Sequence, residues 1–280
     1  MASPSADVDA DRNWRAQLSA LGLTPSKGLG QNFLHDRGVV RRIVEIAELD
    51  PDATVLEIGP GLGVLTRALA ARAASVIAVE VDSRLAQHVR QTTPENVTVI
   101  EADALRIEPG ALAGSDYSVV ANLPYSIANA ILRRMQEAIP APRALTIMVQ
   151  LEVAQRIVAT PPAMSVLSVA VQFYGTPHIA MRVGGGAFIP PPNVESAVLR
   201  IVTQTPPLPR DEQAAFFRVV TAGFAQRRKQ LVNTLATGLS RERHTVIAAL
   251  QSARIAPTAR AERLTVEDWV RVYRALNDAL

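Results

Sequence analysis

From residue 52 onward, short β-branched runs alternate with stretches whose apolar positions recur at helical spacing. Residues 54–59, 75–81, 97–102, 117–123 and 144–151 are such short runs, and predict five strands. Between them the spacing predicts helices, as over 62–73 and 83–92. Such alternation builds βαβ units and a largely parallel sheet. Two further runs, 170–174 with 178–183 and 196–204, have no long helix between them and predict an antiparallel pair completing the sheet. A proline-rich stretch, with Pro206, Pro207 and Pro209, reads as a linker over 205–210. Beyond it the pattern is helical to the end. The expected architecture is α/β: a Rossmann-like, mostly parallel sheet with an antiparallel end, followed by a small all-α domain. The expected divisions are a flexible tail over 1–20, a catalytic domain over 21–204 and a helical domain over 205–280.

Composition narrows the chemistry. The 280-residue chain has no cysteine, which excludes disulfides, thiolate metal sites and cysteine nucleophiles. Its four histidines, His35, His88, His178 and His244, are scattered, so no metal is expected. No apolar run approaches a membrane span, and the first twenty residues lack the apolar core of a signal peptide, so the expectation is a cytoplasmic protein. Net charge is only +3, but residues 205–280 hold 12 Arg and Lys against 7 Asp and Glu. That basic excess fits either a face turned toward an acidic polymer or a solvated helical surface.

The first predicted strand runs into Glu57-Ile58-Gly59-Pro60-Gly61-Leu62-Gly63. A glycine-rich turn between strand and helix lets backbone approach a ligand at the carboxyl edge of a sheet. Alone it fits a dinucleotide or S-adenosylmethionine. The dinucleotide fingerprint wants another glycine where this chain has Val64. Glu80, ending the second strand, is placed to accept ribose hydroxyls, and Asp103, after the third, to meet an adenine amine. Together they predict an adenosine-containing cofactor.

The fourth strand ends in Asn122-Leu123-Pro124-Tyr125. Alkylating an aromatic amine requires its lone pair to be drawn out of the ring. Acceptors around the NH2, the Asn122 side-chain oxygen and a backbone carbonyl near Leu123, would do this. Pro124 stiffens the turn. Tyr125 offers a stacking face for an extruded base, worth about 1–3 kcal/mol.

With these motifs the chain resembles the ribosomal RNA adenine N6-dimethyltransferases, over nearly everything from Gly28 to the end. The resemblance implies S-adenosylmethionine as cofactor, held by Gln31, Asn32 and Leu34 of Gly30-Gln31-Asn32-Phe33-Leu34, by Gly59, Gly61 and Gly63, by Glu80 and Val81, by Asp103 and Ala104, and by Asn122. It implies catalysis by Asn122, Leu123, Pro124 and Tyr125. It also implies that Phe188, opening Phe188-Ile189-Pro190-Pro191-Pro192-Asn193-Val194-Glu195-Ser196, stacks on the second face of the adenine, although taken singly Phe188 reads as a core residue. Arg227, Arg228 and Lys229 lie in the stretch that resembles the C-terminal motif of the housekeeping branch, which implies RNA contact; the plain alternative is surface charge on a helix packed through Phe224 and Leu231. That branch dimethylates two adjacent adenosines in a hairpin near the 3′ end of 16S rRNA, which implies the assembling small subunit as partner; no membrane partner is expected, and a monomer is. The sister branch, acting on one large-subunit adenosine, tends to carry Asn-Ile-Pro-Tyr where this chain has Leu123. A nicotinamide-dependent dehydrogenase and a non-catalytic assembly factor are the competing classes. Val64 and the absence of a hydride-site His or Tyr-Lys pair oppose the first. The complete Asn122–Tyr125 motif opposes the second.

Overall fold

The computed structural model describes residues 18, 19, 21–23 and 32–278. The expected tail over 1–20 lies almost entirely, and Gln31 wholly, outside the described residues. A two-residue strand, β1 (Phe33–Leu34), precedes helix α1 (Arg37–Ala47). Then β2 (Thr54–Ile58), α2 (Val64–Ala70), β3 (Ser75–Glu80), α3 (Ser83–Thr92), β4 (Val97–Glu101), α4 (Pro109–Ala113), β5 (Tyr117–Asn122), α5 (Ala128–Gln136) and β6 (Ala144–Gln150) alternate as the pattern predicts. Helices α6 (Leu151–Ile157) and α7 (Val166–Tyr174) lead to β7 (Gly175–Val183), β8 (Phe188–Ile189) and β9 (Ser196–Thr203). Four helices follow: α8 (Arg210–Phe224), α9 (Leu231–Gly238), α10 (Arg243–Ser252) and α11 (Val266–Asp278).

The seven-stranded sheet has the order β4-β3-β2-β5-β6-β9-β7. Strands β4, β3, β2, β5 and β6 pair in parallel, and β9 is antiparallel to β6. The chain winds outward from β2 to β4, then returns to place β5 on the other side of β2. Such a reversal opens a crevice beyond the carboxyl ends of β2 and β5, the usual ligand position in open α/β sheets. Buried strands explain the continuous apolar runs: β6 is buried at every position except Gln150.

Local signals set the helix starts. Asp36 caps α1 by accepting the Val39 N–H at 3.0 Å, and Asp82 caps α3 by accepting from Arg84 and Leu85. Helix α1 then buries Val40, Ile43, Val44 and Ala47, one stripe at helical spacing.

The expected strand over 170–174 is a correction: these residues end α7. Ser165 and Ser168 form a reciprocal capping box at its start. Val169 and Phe173, four apart, enter a core shared with Phe216, Val220 and Trp269. A β-branched run thus folds as helix because one helical face is buried. Likewise Leu151, expected in a strand, opens α6.

The chain divides into two compact units. One runs to Ala154 and takes in His178–Thr203; the other comprises Gln155–Pro177 and the chain from Gln204 onward. The helical unit therefore recruits a segment that the proline linker had suggested belonged with the sheet. Among the described residues no helix is long and apolar enough to cross a membrane.

Candidate functional site

The crevice beyond β2, β3 and β5 is a cavity of about 260 Å³. Asn32, Leu34, Gly59, Gly61, Glu80, Val81, Asn122, Leu123, Pro124 and Tyr125 all line it. Residues far apart in sequence meet there because three strands end at one edge.

The glycine turn makes the floor. Gly59, Gly61 and Gly63 have φ of 69°, 57° and 75°, left-handed values that other residues adopt at a cost. At Gly61 a Cβ would also meet the Phe33 ring at 3.1 Å. Gly63 does not line the cavity; it is the N-cap of α2.

Glu80 closes one side. Its Oε1 accepts the Val81 and Asp82 N–H groups at 2.9 and 3.0 Å, and its Oε2 accepts Gly61 N–H at 3.2 Å. Burial raises its pKa above the usual carboxylate range, opposed by these three bonds. A carboxylate has about four acceptor sites, so these three bonds leave about one open. Ala102 N–H bonds the Glu80 carbonyl, which brings Asp103 and Ala104 beside this wall. Neither lines the cavity. Asp103 Oδ1 caps its own turn at Leu105 N–H, 2.9 Å, and its carboxylate pairs with Arg106 at 3.7 Å.

Asn122 stands opposite. Its Nδ2 donates to the Asn32 carbonyl at 3.2 Å, which assigns the amide: Oδ1 is the end left to accept. Asn32 immediately precedes a two-rung antiparallel ladder, Phe33↔Ile189 and Leu34↔Phe188. The Leu123 N–H goes to the Met148 carbonyl, and Ile127 N–H to that of Pro124, so the turn is backbone-bonded on both sides. Tyr125 lines the cavity and shares a 2.5 Å hydrogen bond with Ser196 Oγ. Burial raises its pKa, partly offset by Ser196, so the phenol is neutral at physiological pH.

Phe188 departs from the resemblance. It is 2 % exposed, packed in a core with Leu34, Met148 and Val198, and absent from the cavity lining. In this structure it presents no open face to a base, and its singular reading, a core residue, describes it. It pairs with Leu34, which lines the cavity.

Two residues acquire significance only here. Glu57 lines the cavity, is 1 % exposed, and its Oε2 has no hydrogen-bond partner. Burial, aided by the nearby Glu80 charge, pushes its pKa up to about 8, against Thr66 and Arg67. A charged side chain between Leu56 and Ile58 of a central strand was the sequence signal. The other is Ser196, whose role no motif spelled out.

Arg227, Arg228 and Lys229 are exposed, and lie in the turn between α8 and α9 rather than on a helix. Phe224 packs against Trp269 and Leu231 is fully buried, so the basic turn is held at both ends. Among the described residues no cluster of His, Cys, Asp or Glu could hold a metal ion.

The chain from 23 to 278 matches the family model described as ribosomal RNA adenine dimethylase. It is 43 % identical over 263 residues to ribosomal RNA small subunit methyltransferase A of Dehalococcoides mccartyi, covering 92 % of this chain and 90 % of that protein. The enzyme of the same name from Corynebacterium glutamicum is 40 % identical over 277 residues, with 94 % and 93 % covered. Among solved structures, the 23S rRNA methyltransferase ErmE aligns with a TM-score of 0.71 at 33 % identity, over 88 % of this chain and all of that one. A dimethyladenosine transferase from Plasmodium falciparum aligns at 0.75 and 21 % identity, over 88 % and 98 %, a likeness of fold.

Proposed function

The chain belongs to the ribosomal RNA adenine dimethylase family, and from that premise we propose that it dimethylates N6 of two adjacent adenosines in a hairpin near the 3′ end of 16S rRNA. S-adenosylmethionine supplies the methyl groups, four per substrate, as an electrophilic sulfonium. The left-handed glycine turn and the buried Glu80 carboxylate suit a ligand bearing ribose hydroxyls, and the unpartnered Glu57 oxygen suits a polar group of that ligand. Gly59, Gly61, Glu80, Val81, Asn32 and Leu34 would hold it, with Asp103 and Ala104 at its adenine end. Gln31 is assigned by resemblance alone.

The observation that carries this reading is the orientation of Asn122. With Nδ2 bonded to Asn32, Oδ1 accepts an N–H from the target amine. A second acceptor, the Leu123 carbonyl, takes the other hydrogen. Two acceptors draw the amine toward tetrahedral geometry and localise its lone pair, and preformed acceptors need no reorganisation during reaction. The methyl donor is already electrophilic, so no strong base is required. Tyr125 stacks on the extruded base from one side. The domain from 205 onward grips phosphates through Arg227, Arg228 and Lys229. The enzyme acts on assembling small subunits in the cytoplasm, as a monomer.

Primer extension through the 3′ end of 16S rRNA tests this. Dimethyladenosine blocks the Watson–Crick edge, so stops at two adjacent adenosines are expected with the protein and not without it. Identical traces would sink the proposal, and a stop in large-subunit rRNA would move it to the sister branch.

A further inference from the structure

We propose that Ser196 is a positioning residue for methyl transfer, its hydroxyl fixing the direction of the Tyr125 ring. The inference rests on the reading of Tyr125 as the stacking surface for the target base. The two hydroxyl oxygens lie 2.5 Å apart.

What each side of that bond is attached to gives it a direction of action. Ser196 is fully buried and is the first residue of β9. It pairs with Gln150 at the end of β6, and the adjoining Leu151 N–H bonds the Glu195 carbonyl at 2.9 Å. Strand β6 is paired in turn with β5, Asn122 opposite Met148. The serine oxygen is therefore located by the sheet, two strands from Asn122. Tyr125 belongs to the turn after β5 and has no ladder of its own. The partner fixed in the sheet sets the position of the one in the turn.

The phenolic oxygen lies on the axis from Cβ through the ring. Pinning it stops the ring swinging about Cα–Cβ and leaves rotation about the axis free. Because burial keeps the phenol protonated, the pair is a neutral O–H···O bond with one hydroxyl donating and the other accepting. The ring direction matters most for the second methylation. A monomethylated amine has one hydrogen, so only one of the two acceptors at Asn122 and Leu123 can hold it, and stacking carries more of the alignment. A loosened ring should show first as monomethyladenosine.

The test measures products by mass spectrometry of digested 16S rRNA after reaction of the full chain with small subunits that lack the modification. In Ser196→Ala the ratio of monomethyl to dimethyl adenosine should rise about 2- to 10-fold, the size of one missing hydrogen bond. Cofactor affinity should be unchanged. Tyr125→Phe breaks the same bond from the other side and should give the same ratio. The double variant should be no worse than either single one, as expected for partners in one interaction. Ser196→Thr keeps the hydroxyl and should restore the parental ratio.

A merely structural serine would lower the active fraction and leave the product ratio alone. The inference is overturned if Tyr125→Phe or a folded Ser196→Ala keeps the parental ratio, or if the double variant shows the product of the two single effects. Tyr125→Phe leaves the buried serine intact, so where Ser196→Ala folds poorly the phenylalanine variant decides instead. Tyr125→Ala separates the two readings. Parental activity there removes the stacking role altogether, whereas an inactive Tyr125→Ala beside an unperturbed Ser196→Ala removes only the positioning role.

Discussion

Asn122 can offer an oxygen to an amine because its nitrogen is already bonded to the Asn32 carbonyl. On the proposed mechanism that oxygen acts in the transition state far more than on the bound cofactor. Asn122→Ala should therefore lower kcat by about 100- to 1000-fold, as for removal of one preorganised polar group, with the dissociation constant for S-adenosylmethionine within about twofold of the parent. Rapid-quench methyl transfer and calorimetry measure the two separately; a parental kcat would remove Asn122 from the chemistry. Glu57 makes a different prediction, about stability and pH. Its folded pKa, about 8, lies above the ordinary 4.5, so the folded state holds a proton that the unfolded state has released. Its contribution is present in full below the unfolded value and is lost as pH rises through the folded one. The slope between them is at most about 1.4 kcal/mol per pH unit. Glu57→Gln keeps the shape without the titration, so its stability should vary less across that window. Urea denaturation at several pH values gives the comparison, and parallel curves for the two proteins would contradict the buried neutral acid.

At the scale of elements, helix α8 shows packing overruling propensity. Gly223 lies near its C-terminal end, where alanine would favour the helix by about 1 kcal/mol. A Cβ at this position would meet Trp269 at 2.3 and 2.9 Å and Leu231 at 3.1 Å. The Trp269 ring is fully buried, and overpacking a tight core costs about 1–3 kcal/mol. Gly223→Ala should accordingly lower the melting temperature despite the better helix former. A raised melting temperature would mean that α8 and α11 separate more easily than their packing implies. The same competition explains why the strand expectation fails in α7. Val-Ala-Val-Gln-Phe-Tyr over 169–174 has strand propensity, but its Ser165 cap and the burial of Val169 and Phe173 select the helix. Propensity is a weak local preference; a buried face outweighs it. The two-residue strands β1 and β8 were equally illegible, since two rungs joining Phe33 to Ile189 and Leu34 to Phe188 leave no period in the sequence.

At the scale of the whole molecule, the positive charge of residues 205–280 has its densest run in the exposed turn between α8 and α9. If Arg227, Arg228 and Lys229 touch phosphate, replacing all three by alanine should weaken RNA binding and flatten its dependence on salt. The logarithmic slope should fall by roughly 0.7–0.9 for each phosphate that is no longer neutralised. Filter binding at several salt concentrations reads that slope, and equal slopes for variant and parent would return the run to ordinary surface charge. The alternation of apolar runs determined the parallel sheet by itself, because strand and helix periods are local and a strand buried on both faces must be mostly apolar. The motifs pointed to the chemistry, because Gly59–Gly63 follows a strand while Glu80 and Asn122 are the last residues of theirs, and strands wound in parallel end at one edge. Only the tertiary structure decided which groups face the cavity. It turned Phe188 into the core, sent Asp103 to cap its own turn, gave the Asn122 amide its orientation and set Ser196 against Tyr125. Most of those outcomes depend on hydrogen bonds and packing between residues remote in sequence, as Asn32 is from Asn122 and Tyr125 from Ser196, which a linear pattern does not record.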